Sequence, residues 1–159
     1  MKDAHTQRTT YEARSALFLT GATRSELVRW TNAGILTAYD GGGSQGKRRR
    51  FDLRNLVTLA VLVKAHALKV NEAGMKQIAA AIDLCSAKDL RNQDKPVAVW
   101  FGIESEENRY QTDPPQEPKA VILPIAWTGD YLTSGYCGTI IGLADIVRRL
   151  EQATGEIVP

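Results

Sequence analysis

Cysteine is nearly absent from this chain, with only Cys85 and Cys137 among 159 residues. Two isolated thiols make no disulfide framework, no redox motif and no cluster of metal ligands. Histidine is equally scarce: His5 lies in a polar N-terminal stretch and His66 in a helical pattern. No apolar run approaches the roughly 20 residues that a membrane-spanning helix requires. The opening MKDAHTQRTTYEAR lacks the apolar core of a signal peptide. Gly135 to Gly142 (GYCGTIIG) is rich in glycine but lacks the Lys and Ser/Thr that close a phosphate loop. Glu104, Glu106, Asp130 and Asp145 show no spacing that singles them out for acid–base work. These absences predict a cytoplasmic protein with no catalytic residues, cofactor, metal or membrane anchor.

What is present is the composition of a folded chain, 43% hydrophobic and 24% charged, long enough for one domain or two small ones sharing a surface. The net charge of +2 conceals an asymmetry. Residues 1–70 hold 12 Lys/Arg against 5 Asp/Glu, a net +7; residues 71–159 hold 8 against 13, a net −5. A basic half joined to an acidic half points to a polyanion-binding module coupled to something that avoids polyanions.

The basic half carries most of the local order. Residues 1–9 have no apolar period and read as a flexible arm. Thr9 and Glu12 match a capping box for a helix over about 10–19 that turns Ala13, Ala16 and Leu17 inward. Thr20-Gly21 breaks that helix. Thr23 and Glu26 form a second capping box for a second short helix, with Leu27, Trp30 and Ala33 inward and Gly34 at its end. Arg24, Ser25, Val28, Arg29 and Asn32 fall on the remaining surface, where an amphipathic helix with Arg near its start suits a major groove. Ile35 to Tyr39 reads as a strand, Asp40 to Gly46 (DGGGSQG) as a hairpin tip, and Lys47 to Phe51 as the return strand. The cations Lys47, Arg48, Arg49 and Arg50 then alternate sides, so two or three reach one phosphate backbone. Asp52 caps a helix running to about Leu68, where Leu53, Leu56, Val57, Ala60 and Val63 form one stripe and Leu59, Val61, Leu62 and Ala65 a second. Such a helix needs cover on two sides. Asn71 caps a further helix through Ile82, and Cys85 beyond it reads as a small, partly buried residue.

This segment resembles the winged helix-turn-helix of the MerR family of bacterial regulators over about residues 11–82. The resemblance is carried by Gly21-Ala22-Thr23, Leu27, Trp30 and Gly34-Ile35-Leu36, by the glycine-bearing wing with Arg49-x-Phe51, and by Asn55-Leu56. Asn55 stands where the family usually has Asp. The resemblance implies DNA contacts from Thr23, Arg24, Ser25 and Arg29 on the second helix and from Arg48, Arg49 and Arg50 in the wing. Lys47 joins the wing set as the first cation of the run. Arg54, on the first turn of the next helix, opposes the dipole there, and a DNA phosphate would offset that cost. The family's long coiled-coil dimerisation helix has no counterpart in SAKDLRNQDKP, which shows no sustained heptad and ends at Pro96.

Downstream, Val97 to Ile103 and Ala120 to Trp127 are apolar β-rich runs around an acidic loop, Glu104 to Lys119, with Tyr136 to Ile141 as a third strand. Pro124 implies an edge position, a bulge or a broken strand. Leu143, Ile146, Val147, Leu150 and Ala153 mark a final amphipathic helix ending near Gly155. Trp100, Phe101, Trp127 and Tyr131 read as core aromatics before they read as a ligand pocket.

The expected fold class is α+β. A DNA-binding domain (10–84) and a linker (85–96) lead to a small antiparallel sheet with one helix (97–159) that serves oligomerisation or a partner. The expected function is a sequence-specific transcriptional regulator, binding double-stranded DNA as a homodimer through its C-terminal half. The alternatives are an excisionase-like architectural factor for recombination and, in another class, a protein-interaction or ligand-sensing adaptor.

Overall fold

A computed structural model of the chain describes residues 9–39, 48–91, 97–103, 119–124 and 137–158, with side chains described outside 87, 91–103, 119–124 and 137–140. The N-terminal arm, the hairpin tip with Lys47, residues 92–96, the acidic loop, Trp127 and Tyr131 lie outside the described residues, as do the side chains of Trp100 and Phe101. In chain order the elements are β1 (Tyr11–Glu12), α1 (Ala13–Thr20), α2 (Arg24–Asn32), β2 (Arg50–Phe51), α3 (Leu53–Ala67), α4 (Glu72–Leu84), α5 (Ala87–Arg91), β3 (Val97–Ile103), β4 (Lys119–Pro124), β5 (Cys137–Gly142) and α6 (Leu143–Thr154). The fold is α+β, with a two-stranded ladder β1–β2 and a three-stranded sheet ordered β4-β3-β5, antiparallel throughout.

The first helix starts later than its sequence predicts. Glu12 is its N-cap but makes no side-chain capping bond, so the Thr9–Glu12 capping box does not form. Glu12 instead pairs with Arg50 across β1–β2, beside Tyr11 against Phe51. Of the residues expected inward, Ala16 is buried and Leu17 partly so, while Ala13 is exposed. Gly21, at φ 73°, ends α1 with its N–H on Leu17 O, a left-handed turn in which a β-carbon would be strained.

The strand expected over Ile35 to Tyr39 does not form either, because the end of α2 claims its backbone donors. Gly34 at φ 68° donates to Thr31 O, while Ile35 and Leu36 both donate to Trp30 O. This Schellman-type closure turns Ile35 and Leu36 together into the core, 5% and 2% exposed. Two adjacent buried residues cannot belong to an alternating strand. Among the described residues, Tyr39 N–H donates to Arg50 O where the hairpin was expected, and β2 takes β1 as its partner.

The third helix follows its sequence. Asp52 accepts from Asn55 N–H and Asn55 Oδ1 accepts from Asp52 N–H, a complete capping box. Its C-terminus repeats the Schellman closure, with Lys69 donating to His66 O and Val70 to Ala65 O. Here the left-handed position is held by Lys69, at φ 63°. A β-carbon in that region costs about 1–2 kcal/mol, partly offset by the unfolded-state entropy of glycine. Lys69→Gly is therefore expected to stabilise the fold by about 0.5–1 kcal/mol, raising Tm by about 2 °C; a lower Tm in a thermal melt would refute this.

Both sides of α3 are covered within the chain, by α1 and α4 and by α6 and β5. Leu143, Ile146, Val147, Leu150 and Val158 belong to one buried cluster with Leu56, Leu59, Leu62 and Ile78. The two halves thus share a core, and the span expected to be a linker contains α5, whose Leu90 is fully buried. In the sheet, β3 is central and Pro124 ends the outer strand β4, an edge position of the kind proline occupies.

After α6 the chain turns at Gly155 and ties back to the start. Glu151 Oε1 accepts from Val158 N–H at 3.0 Å, and Tyr11 donates its phenolic proton to Glu156 Oε2 at 2.6 Å. Burial, with the carboxylate as a second cause, pushes the Tyr11 phenol from 10.0 up to about 12. A raised pKa makes this contribution complete below pH 10 and lost as pH climbs towards 12. Tyr11→Phe should cost about 1–2 kcal/mol at neutral pH. Its deficit against the parent, measured by denaturation across pH, should close over that alkaline window. A deficit unchanged with pH would refute the assignment.

Candidate nucleic-acid interface

The second helix is held from below and left open above. Leu27 and Trp30 are buried, 4% and 1% exposed, so their face is fixed against α3. Thr23 donates its hydroxyl and its N–H to Glu26 Oε2, at 2.7 and 2.8 Å, and accepts Glu26 N–H at 3.3 Å. The other oxygen, Glu26 Oε1, accepts from His66 Nδ1 of α3 at 2.8 Å, and the His66 ring meets Trp30 edge-on at 5.9 Å. Burial pushes the Glu26 carboxyl up, but the bonds from Thr23 and His66 outweigh it and leave it below its ordinary value. One carboxylate therefore both caps α2 and docks its N-terminus onto α3.

That docking faces Arg24, Ser25, Val28, Arg29 and Asn32 outward, all exposed. Thr23 is occupied by the cap, and Ser25 Oγ lies 3.1 Å from its hydroxyl. Arg29 lies over the Trp30 ring at 5.8 Å, with its guanidinium in solvent.

The three described cations of the basic run, Arg48, Arg49 and Arg50, alternate as expected, with different consequences for each side. Arg49 points towards α2, where Nη1 donates to Thr31 Oγ1 at 2.6 Å and Nη2 to Asn32 Oδ1 at 3.1 Å. It sets the wing against the end of the helix. Arg48 and Arg50 point the other way and flank Glu12 Oε1, at 3.7 and 3.6 Å. Exposed pairs of this length are worth well under about 1 kcal/mol and yield readily to a stronger anion.

A groove of about 540 Å³ runs between α1, α2 and the wing, floored by Leu17, Leu27, Val28 and Phe51. Arg14, Arg24, Arg48 and Arg49 line it, with Glu12 the one acidic group among its lining residues. The structure thus brings Arg24 together with the wing. It also adds Arg14, which the sequence reading passed over. Arg14 stands three residues before Leu17 on α1, so it shares that side of the helix.

Arg54 is placed elsewhere. Its guanidinium donates to Ile82 O, Asp83 O and Cys85 O at 2.9–3.2 Å, closing the C-terminus of α4. Its charge is therefore met by the negative end of a neighbouring helix, which removes the reason for assigning it a phosphate. Nearby, burial pushes the Asp83 carboxyl up despite Arg54, and burial does the same to the Cys85 thiol.

Among the described residues no group of three His, Cys, Asp or Glu is placed to hold a metal, and no helix is long and apolar enough to cross a membrane. No family model matches the chain, and no curated protein shows significant similarity to it.

Proposed function

We propose that residues 11–82 are a winged helix-turn-helix DNA-binding module. Within that class, the reading is a sequence-specific transcriptional regulator similar to the MerR family in this module, carrying a different C-terminal half. The observation that carries it is the convergence of Arg14, Arg24, Arg48 and Arg49 on one groove beside the exposed face of α2. In this reading α2 enters the major groove with Arg24, Ser25 and Arg29. Arg48 and Arg50 release Glu12 to take flanking phosphates, and Arg49 holds the wing at the correct distance from the helix.

One such module covers few base pairs, so useful specificity requires two half-sites and hence a homodimer, for which the C-terminal half is the proposed interface. Double-stranded DNA is the partner; no cofactor or catalytic step enters, and the site of action is the cytoplasm. The test is selection of bound fragments from a random duplex pool by the full chain. A recurring motif, repeated as two half-sites, is the expected result. A purified protein that retains no duplex even at low salt would overturn the reading and favour the protein-interaction alternative.

A further inference from the structure

Two neighbouring clefts lie away from the basic groove, the first of them on the opposite side of α1. Leu17 lines that groove and Leu19 lines the first of the two clefts; two residues apart on a helix, they stand about 200° apart. The first cleft, about 280 Å³, lies between Leu19 of α1, Val63 of α3 and Ile146 and Leu150 of α6. The second, about 360 Å³, lies between Leu68 after α3 and Ile141 at the end of β5. Lys64 and Arg149 line both, so the two clefts form one trough whose shared wall carries two cations.

Those cations differ from the other surface cations near carboxylates. Arg48 and Arg50 share Glu12, and Arg148 holds Asp145 at 2.5 Å. Lys64 and Arg149 are exposed, and neither has an acidic partner among the described residues. Asp145 also lines the second cleft, but it is already paired with Arg148. Away from the cations the lining is mainly apolar, with Thr20 and the paired Asp145 as its polar members, and Leu68 leaves 53% of its surface in water. Two positive charges with no acidic partner among the described residues, above a mainly apolar floor, are complementary to an anion that carries an apolar body. The clefts are of small-molecule size. An inorganic anion would leave the floor wet, and a duplex backbone is too broad to enter.

We propose that this trough is a binding site for a small organic anion with an apolar body, of which a medium-chain carboxylate is the simplest member. The carboxylate lies between Lys64 and the Arg149 fork, and the chain runs along Leu19, Val63, Ile146 and Leu150. The bound molecule would join α1, α3 and α6, that is, the two ends of the chain. The site stands whether or not the basic groove binds DNA.

Decanoate, kept below its micellar concentration, is the probe, with the full chain studied by titration calorimetry and thermal melting. The expected result is saturable binding of one decanoate per chain and a rise in Tm with ligand concentration. Decanol and inorganic phosphate should each bind at least about tenfold more weakly, lacking the charge or the apolar body. Lys64→Met and Arg149→Met should each weaken decanoate about tenfold. Lys76→Met, on α4 and outside both clefts, should leave affinity within about twofold. All three positions are exposed, and unchanged melting without decanoate verifies the fold of each variant. Parental decanoate affinity in both Lys64→Met and Arg149→Met overturns the proposal. So does binding of phosphate or decanol as tight as decanoate, or no saturable binding.

Discussion

Removing Arg48 and Arg50 together is expected to weaken duplex binding about 10- to 100-fold and to flatten its salt dependence. Each is held only by an exposed contact with Glu12, so each is available to a phosphate. Loss of two phosphate contacts makes the slope of log affinity against log salt shallower by about 1.8. Arg24→Ala should lose affinity on a selected site more than on random duplex, by about 1–3 kcal/mol if it reaches a base edge. Arg49→Ala should also bind less well, but with a slope closer to the parent, since its guanidinium is spent on Thr31 and Asn32. Glu12→Gln should bind up to about fivefold more tightly at low salt, because it frees both wing cations. Fluorescence anisotropy over a salt series measures all of these. Parental affinity and slope in both Arg24→Ala and the Arg48/Arg50 double variant would sink the interface as drawn.

The second large effect concerns stability. Arg54→Ala is expected to destabilise the fold by about 2–3 kcal/mol, since it leaves the carbonyls of Ile82, Asp83 and Cys85 without their charged donor. For a chain of this size that lowers Tm by about 4–12 °C. Arg54→Lys should recover only part of the loss, because an ammonium can replace Nη1 on the three carbonyls but not the second donor that Nη2 places on Cys85 O. The salt slope for DNA should stay at its parental value in either variant. An undiminished Tm combined with a shallower slope would return Arg54 to the DNA-binding set.

Arg54 and Arg49 show where sequence reasoning stops. From the chain alone both are cations in a basic segment, and the segment as a whole is what draws attention. Their partners lie 28 and 18 residues away, on elements whose approach depends on packing. The acidic capping residues show the same limit. Thr23–Glu26 was legible as a capping box, and Asp52 as a cap, because the groups they serve lie within one helical turn. Thr9–Glu12 has the same spacing, but Glu12 is drawn into the ladder with Arg50, a pairing across 38 residues that overrides a local preference. Ile35 to Tyr39 failed as a strand for a related reason: its alternation depended on a register that the closure of α2 had already consumed.

The sequence by itself determined four of the helices, α2, α3, α4 and α6, and their approximate ends. Apolar spacing, caps and glycines act within a few residues, so α2, α3, α4 and α6 appear close to where their patterns place them. It also determined that charge is divided between the halves and that α3 needs cover on two sides. Only the tertiary structure decided what supplies that cover, and the answer is α6, which draws the second half into the core of the first. It alone separated Arg48 and Arg50 from Arg49, brought Arg14 to the groove and assigned Arg54 to a helix end. Local preferences are properties of short segments, whereas the partner of a charge depends on distances that exist only after the apolar faces have met.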